Sequence, residues 1–195
     1  MRTATVRRQT RETTIELEVN ADGTGKHDIH TGLGFLDHML EQVAVHGLLD
    51  LKVTARGDLD VDPHHTVEDV ALALGSALDQ ALAQRSGITR MGAMHVPLDE
   101  ALAFVAVDLS GRAHCVVSIP WTGTCVGRLP VTLIEHFFAS FATAARATVH
   151  ASVLCGRDDH HMAEAAFKAL GRALDQAIRI DTRREGIIPS SKGTL

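Results

Sequence analysis

A metal-ligand motif occurs twice in this chain, in register, and that repetition limits the folds open to it. His64, His65 and Glu68 form H-H-x-x-E, and His160, His161 and Glu164 form it again; from position 64 to position 160 the offset is 96. The match continues past the ligands. Ala73-Leu74-Gly75 and Ala77-Leu78-Asp79-Gln80-Ala81 recur as Ala169-Leu170-Gly171 and Ala173-Leu174-Asp175-Gln176-Ala177 at the same spacing. Self-similarity of this length marks a duplicated unit. The chain is therefore read as two fused copies of one small fold, residues 1–88 and 89–185, with a polar tail, 186–195, expected to be flexible.

Periodicity fills in each copy. Thr13 to Val19 alternates apolar and polar residues, which predicts a strand, and the Ala21-Asp22-Gly23 turn leads to a second, shorter one. Gly34 to His46 has helical spacing, with Gly47 as its stop. Leu49 to Ala55 alternates again, and Asp62-Pro63 opens a helix from His64 to about Gln84. In the second copy, Met94 to Leu109 and His114 to Ile119 read as strands around the turn Ser110-Gly111-Arg112. Pro130 opens a helix to Ala145, Thr148 to Leu154 is a strand, and Asp158-Asp159 caps a helix from His160 to Ile178. The expected fold is α+β, two tandem pseudo-symmetric β-β-α-β-α repeats. Their Ala-rich helices pack together between two small sheets.

Helix geometry decides how the motif can work. Residues i and i+4 share a face, while i and i+1 point about 100° apart. His64 and Glu68 can hold one metal, and His65 faces another; the same division holds for His160 with Glu164, and for His161. A further pair lies upstream. Phe35-Leu36-Asp37-His38-Met39-Leu40 matches Leu133-Ile134-Glu135-His136-Phe137-Phe138 as apolar-apolar-acid-His-apolar-apolar, and from 38 to 136 the offset is 98. Pseudo-symmetry then gives each metal three His and one Glu. An octahedral ion would keep two positions open for water or substrate. Such a donor set suits Mn, Fe, Co, Ni or Zn, and spacing does not choose among them. One His-His pair alone is ordinarily a solvated or capping pair. Two in register, each with Glu at i+4 and a paired upstream His, argue against that.

Other polar residues are one-sided. Gln42 and His46 follow His38 on nearly the same face, where the second copy has Ser140 and Ala144; Lys168 follows Glu164, where the first copy has Leu72. A symmetric metal pair with asymmetric surroundings suits an asymmetric substrate. Lys168, Arg90, Arg112 and Lys192 are candidates to neutralise a phosphate, and Ser190 and Ser191 offer it hydroxyls. The formal net charge is −5 and no basic stripe is present, which argues against nucleic acid as a partner. No apolar run approaches the roughly 20 residues that span a bilayer. The N-terminal residues lack a secretory apolar stretch, so a cytoplasmic location is expected. Cys115, Cys125 and Cys155 show no C-x-x-C spacing and are read as small core hydrophobes in a reducing compartment.

Thr31-Gly32-Leu33-Gly34-Phe35-Leu36-Asp37-His38-Met39-Leu40, His64-His65-Thr66-Val67-Glu68-Asp69, Asp108-Leu109-Ser110-Gly111-Arg112, His136-Phe137-Phe138, the run from Asp159 through Glu164 to Ala169, and Pro189-Ser190-Ser191-Lys192-Gly193 together resemble the imidazoleglycerol-phosphate dehydratases of histidine biosynthesis, over almost the whole chain. Asp158-Asp159 stands where that family is expected to have Asn, which leaves the helix cap in place and touches no ligand. The resemblance implies two manganese ions. One would be held by His38, His65, His160 and Glu164, the other by His64, Glu68, His136 and His161. It also implies ligands shared between neighbouring subunits in a homo-oligomer of 24 subunits built from trimers, and Glu12 as an acid/base group. The reaction implied is loss of water from D-erythro-imidazole-glycerol phosphate to give imidazole acetol phosphate, with the metal pair stabilising an imidazolate. Two other functions stay open on the residues alone. One is a dinuclear metallohydrolase, which would want a bridging carboxylate that neither half obviously offers; the other is a non-catalytic, metal-dependent assembly module.

Overall fold

Alternating apolar residues put one face of each strand into the interior and leave the other outside, and two sheets form on this pattern. The computed structural model describes residues 1–195. The first half runs β1 (Thr3–Gln9), β2 (Thr13–Asn20), β3 (His27–His30), α1 (Gly34–Gly47), β4 (Asp50–Gly57) and α2 (His64–Leu82). The second runs β5 (Met91–Leu98), β6 (Ala101–Asp108), β7 (His114–Ser118), a small hairpin of β8 (Cys125–Val126) and β9 (Leu129–Pro130), then α3 (Val131–Ala144), β10 (Thr148–Cys155) and α4 (Asp159–Ile178). The sheets are ordered β1-β2-β4-β3 and β5-β6-β10-β7. In each the last pair is parallel and the others antiparallel. The expected α+β fold of two matching halves is what the structure shows.

Each four-stranded sheet has one more strand than the periodicity predicts, and the second half adds the β8–β9 hairpin. β1 is masked by Arg7 and Arg8: the inward positions of this half-buried edge strand are Ala4, Val6 and the stem of Arg8, so the apolar alternation breaks off early. The segment expected as one strand from Met94 to Leu109 is a hairpin turning at Asp99-Glu100, with Leu98 paired to Ala101. Asp99 takes φ 46°, a left-handed conformation that Asp tolerates better than most residues, and no glycine marks the turn.

The helices pack across the halves. α1 lies on α4, and α2 on α3. Small residues let the backbones touch. A Cβ on Gly171 would stand 2.9 Å from Val43 O and 3.0 Å from Gly47 N; one on Gly75 would stand 2.6 Å from Phe141 O and 2.7 Å from Ala145 N. Gly47 is therefore not the stop of α1. It is the last helical residue, kept small by Gly171, and the left-handed cap is Leu48 at φ 53°. Around these crossings 55 buried apolar residues form one core, in which Phe167 meets Phe137 and Phe138 at centroid distances of 5.0 and 5.1 Å. The cysteines are not core residues: Cys125 and Cys155 are exposed and Cys115 is half-buried, all three as free thiols. Thiols tolerate both environments, so their identity carried little positional information.

Candidate metal centres

The crossing of α1 with α4 sets His38 against His160 and Glu164. His38 Nε2 and His160 Nε2 each lie 3.1 Å from Glu164 Oε2. Asp158 starts this helix, accepting from the His160 and His161 N–H groups. Phe35 packs its edge on His160 at 5.2 Å. Lys168 Nζ holds the other Glu164 oxygen at 2.7 Å, in a carboxylate whose side chain is only 12% exposed. Burial pushes the Glu164 carboxyl up, but the bonds from Lys168 and His38 outweigh it and bring it down to about 2.

The crossing of α2 with α3 repeats the arrangement. His64 Nε2 and His136 Nε2 lie 3.6 and 3.7 Å from Glu68 Oε2, with the two rings 4.7 Å apart. In both triads every donor atom lies within 4.8 Å of the others. His136 Nε2 is itself shielded from water and has no hydrogen-bond partner, although part of its ring is exposed. A buried ring nitrogen left unpaired is costly. Beside a carboxylate and a second imidazole, a divalent cation is the partner that fits it.

His65 and His161 face away from these triads, as the helix-face argument expects. His65 Nδ1 meets Asp58 Oδ2 at 3.0 Å, and His161 Nδ1 meets Glu100 Oε2 at 2.8 Å. Those bonds raise both imidazoles, and the one from His161 is the chief cause that brings Glu100 down to about 2. One chain thus assembles two triads of the expected quartets and turns the fourth members outward. Glu12 is exposed beside one of them. It sits at the β1–β2 turn, its carbonyl accepts from Asp58 N at 3.1 Å, and its charge helps raise His65.

The expected phosphate ligands divide into two groups. Arg90, Arg112, Ser190, Ser191 and Lys192 line one hollow together with Thr194 and Leu195. Arg90 is aimed by a two-pronged pair with Asp108, at 2.6 and 2.9 Å, and also donates to Pro189 O at 2.9 Å. Lys168 is not among the lining residues, because its ammonium is committed to Glu164. It belongs instead with Gln42 and His46 beside the α1–α4 triad. Gln42 Nε2 lies 3.4 Å from His38 Nδ1, and burial, then the charges of Lys168 and Arg172, push His46 down. Sequence reasoning missed Asp58 and Glu100. Asp58 had a weak signal, an acid seven positions before His65; Glu100 had none, since only the fold brings its hairpin to His161.

The sequence and the fold have close counterparts. The model of the family described as imidazoleglycerol-phosphate dehydratase matches residues 31–174. Relatives of that name are 58% identical over 194 residues in a Roseiflexus species, covering 100% of this chain and 98% of the relative, and 53% identical over 195 residues in Methanothermobacter thermautotrophicus, covering 100% and 98%. The solved structure from Pyrococcus furiosus superposes with a TM-score of 0.84 at 36% identity, covering 97% of this chain and 100% of the other. The one from Staphylococcus aureus superposes at 0.83 and 33%, covering 92% and 99%.

Proposed function

Because the chain belongs to the imidazoleglycerol-phosphate dehydratase family, we propose that its paired triads are the heart of a di-manganese centre that converts D-erythro-imidazole-glycerol phosphate to imidazole acetol phosphate. The chain is a hydro-lyase of histidine biosynthesis, acting on imidazoleglycerol phosphate. The observation that carries the metal reading is the orphaned His136 Nε2 facing Glu68 within a triad that the other half repeats. His38, His160 and Glu164 would hold one ion, and His64, Glu68 and His136 the other. His65 and His161 would complete the quartets from neighbouring chains. Their outward orientation supports sites shared between chains, and the family resemblance implies a homo-oligomer of 24 subunits built from trimers.

Ions held by these residues would supply Lewis acidity to the substrate ring. The remaining roles fall to side chains. Arg90, Arg112, Ser190, Ser191 and Lys192 hold the phosphate through charge-assisted bonds. Gln42, His46 and Lys168 line the glycerol chain, and Lys168 keeps Glu164 ionised. Glu12 would take the proton from carbon and pass it to the departing hydroxyl, which leaves as water, and the enol would become the ketone as its O–H proton is replaced by one on carbon. Closure of the 186–195 tail on the phosphate is expected to protect it from proteolysis when a phosphate-bearing analogue is added; equal cleavage with and without the analogue contradicts that. No helix is long and apolar enough to cross a membrane, and we infer a cytoplasmic enzyme.

The test is keto-product formation by chelator-stripped protein. Activity should be absent, and should return on adding Mn2+; full turnover without metal overturns the reading. Glu12→Gln should lower kcat by about 10²–10⁴-fold, the usual range for a lost general acid or base, with metal content unchanged. Turnover near that of the unaltered enzyme removes Glu12 from the mechanism.

A further inference from the structure

The two outward histidines each lean on a carboxylate to which no role has so far been given. An ionised carboxylate only accepts hydrogen bonds, so Asp58 and Glu100 place the ring proton of His65 and His161 on Nδ1 and leave Nε2 with a bare lone pair. The duplication relates the two supports only in part. β2 and β6 correspond at an offset of 88, so Glu100 stands where Glu12 does in the first half; β4 and β10 correspond at 98, which sets Asp58 against Gly156. Asp58 directly follows β4, and Glu100 is the tip of the β5–β6 hairpin.

The supports also differ in rigidity. Glu100 Oε1 accepts from Arg157 N at 3.1 Å and Asp158 N at 2.9 Å, while Oε2 alone faces His161. Both Asp58 oxygens face His65, at 3.0 and 3.2 Å, and neither accepts from backbone. Glu100 is thus locked in one orientation to the start of the helix that carries His161, whereas Asp58 can rotate.

We propose that Asp58 and Glu100 are positioning residues that fix tautomer and ring plane, so that Nε2 of His65 and of His161 is presented to a divalent cation, with Glu100 the more stringent of the two. This rests on the reading that His65 and His161 are ligands. Second partners of ligating histidines act in this way generally.

Glu100→Gln tests it sharply. The side chain keeps its volume, and its Oε1 still accepts from Arg157 and Asp158. Those two N–H groups prevent a flip, so the amide NH2 must face Nδ1. The proton then moves to Nε2, the ligand atom. Mn2+ binding to the chelator-stripped, assembled protein is measured by equilibrium dialysis, and the His161 tautomer by 15N ring shifts of the metal-free form. One of the two Mn2+ ions should bind about 10–100-fold more weakly, with the tautomer inverted, metal-free unfolding unchanged, and no further loss when combined with His161→Ala. Asp58→Asn can still turn its oxygen to His65 and should weaken binding less than Asp58→Ala does. If His161→Ala loses an ion but Glu100→Gln binds like the unaltered protein, the positioning role is overturned and the ligand reading survives. If His161→Ala itself binds both ions undiminished, the ligand reading fails, and the positioning role with it.

Discussion

Exchanging Glu164 for glutamine is expected to lower turnover by about 10³-fold or more and to release one of the two bound ions. Metal stabilisation of charge in a transition state is worth several kcal/mol, and about 1.4 kcal/mol is tenfold in rate. The substitution changes almost no volume, so the loss is chemical. Glu164 Oε2 is the atom that both His38 and His160 face at 3.1 Å. An amide there either aims its NH2 at the two imidazoles or turns that NH2 against the Lys168 ammonium. In both orientations the negative charge shared by the triad is gone, and Lys168 loses its counter-ion. Glu68→Gln should release the other ion by the same reasoning. Atomic absorption and steady-state kinetics on both variants check the pair. Two ions retained, with turnover within threefold of normal, would remove these carboxylates from the centre.

Gly75→Ala is expected to destabilise the protein by about 1–3 kcal/mol, the usual cost of overpacking, although alanine is intrinsically about 1 kcal/mol better than glycine inside a helix. The added methyl would stand 2.6 and 2.7 Å from the backbone of Phe141 and Ala145 and 2.9 Å from the Ala144 Cβ. No side-chain rotation relieves a backbone contact, so α2 and α3 must separate. α2 carries His64 and Glu68, and α3 carries His136, so Mn2+ affinity should fall together with stability. Chemical denaturation and metal titration of the same variant measure both. Unchanged stability would mean that the helices sit further apart than described.

The two triads were legible in the sequence for a specific reason. His64 with Glu68, and His160 with Glu164, are local i, i+4 pairs, and the duplication supplied His38 and His136 as a further matched pair. The exchange of helices between halves, which seats His38 beside His160 rather than beside His64, is a tertiary fact that periodicity does not encode. The strands were less legible at their edges. β1 hides behind Arg7 and Arg8, and the Asp99-Glu100 turn lies between apolar runs with no Gly in it, its one signal being Pro97 two residues earlier. Gly47 misled because glycine serves two ends: it is favoured just past a helix, and it is required where two helix backbones meet, as it meets Gly171 here.

Anomalous diffraction at the manganese edge, on crystals of the assembled protein grown with Mn2+, tests the central claim most directly. Two peaks per active site are expected, one ringed by His38, His160 and Glu164 with a partner chain's His65 equivalent, the other by His64, Glu68 and His136 with a partner's His161 equivalent. Peaks elsewhere, or none within bonding distance of Glu68 and Glu164, would contradict it.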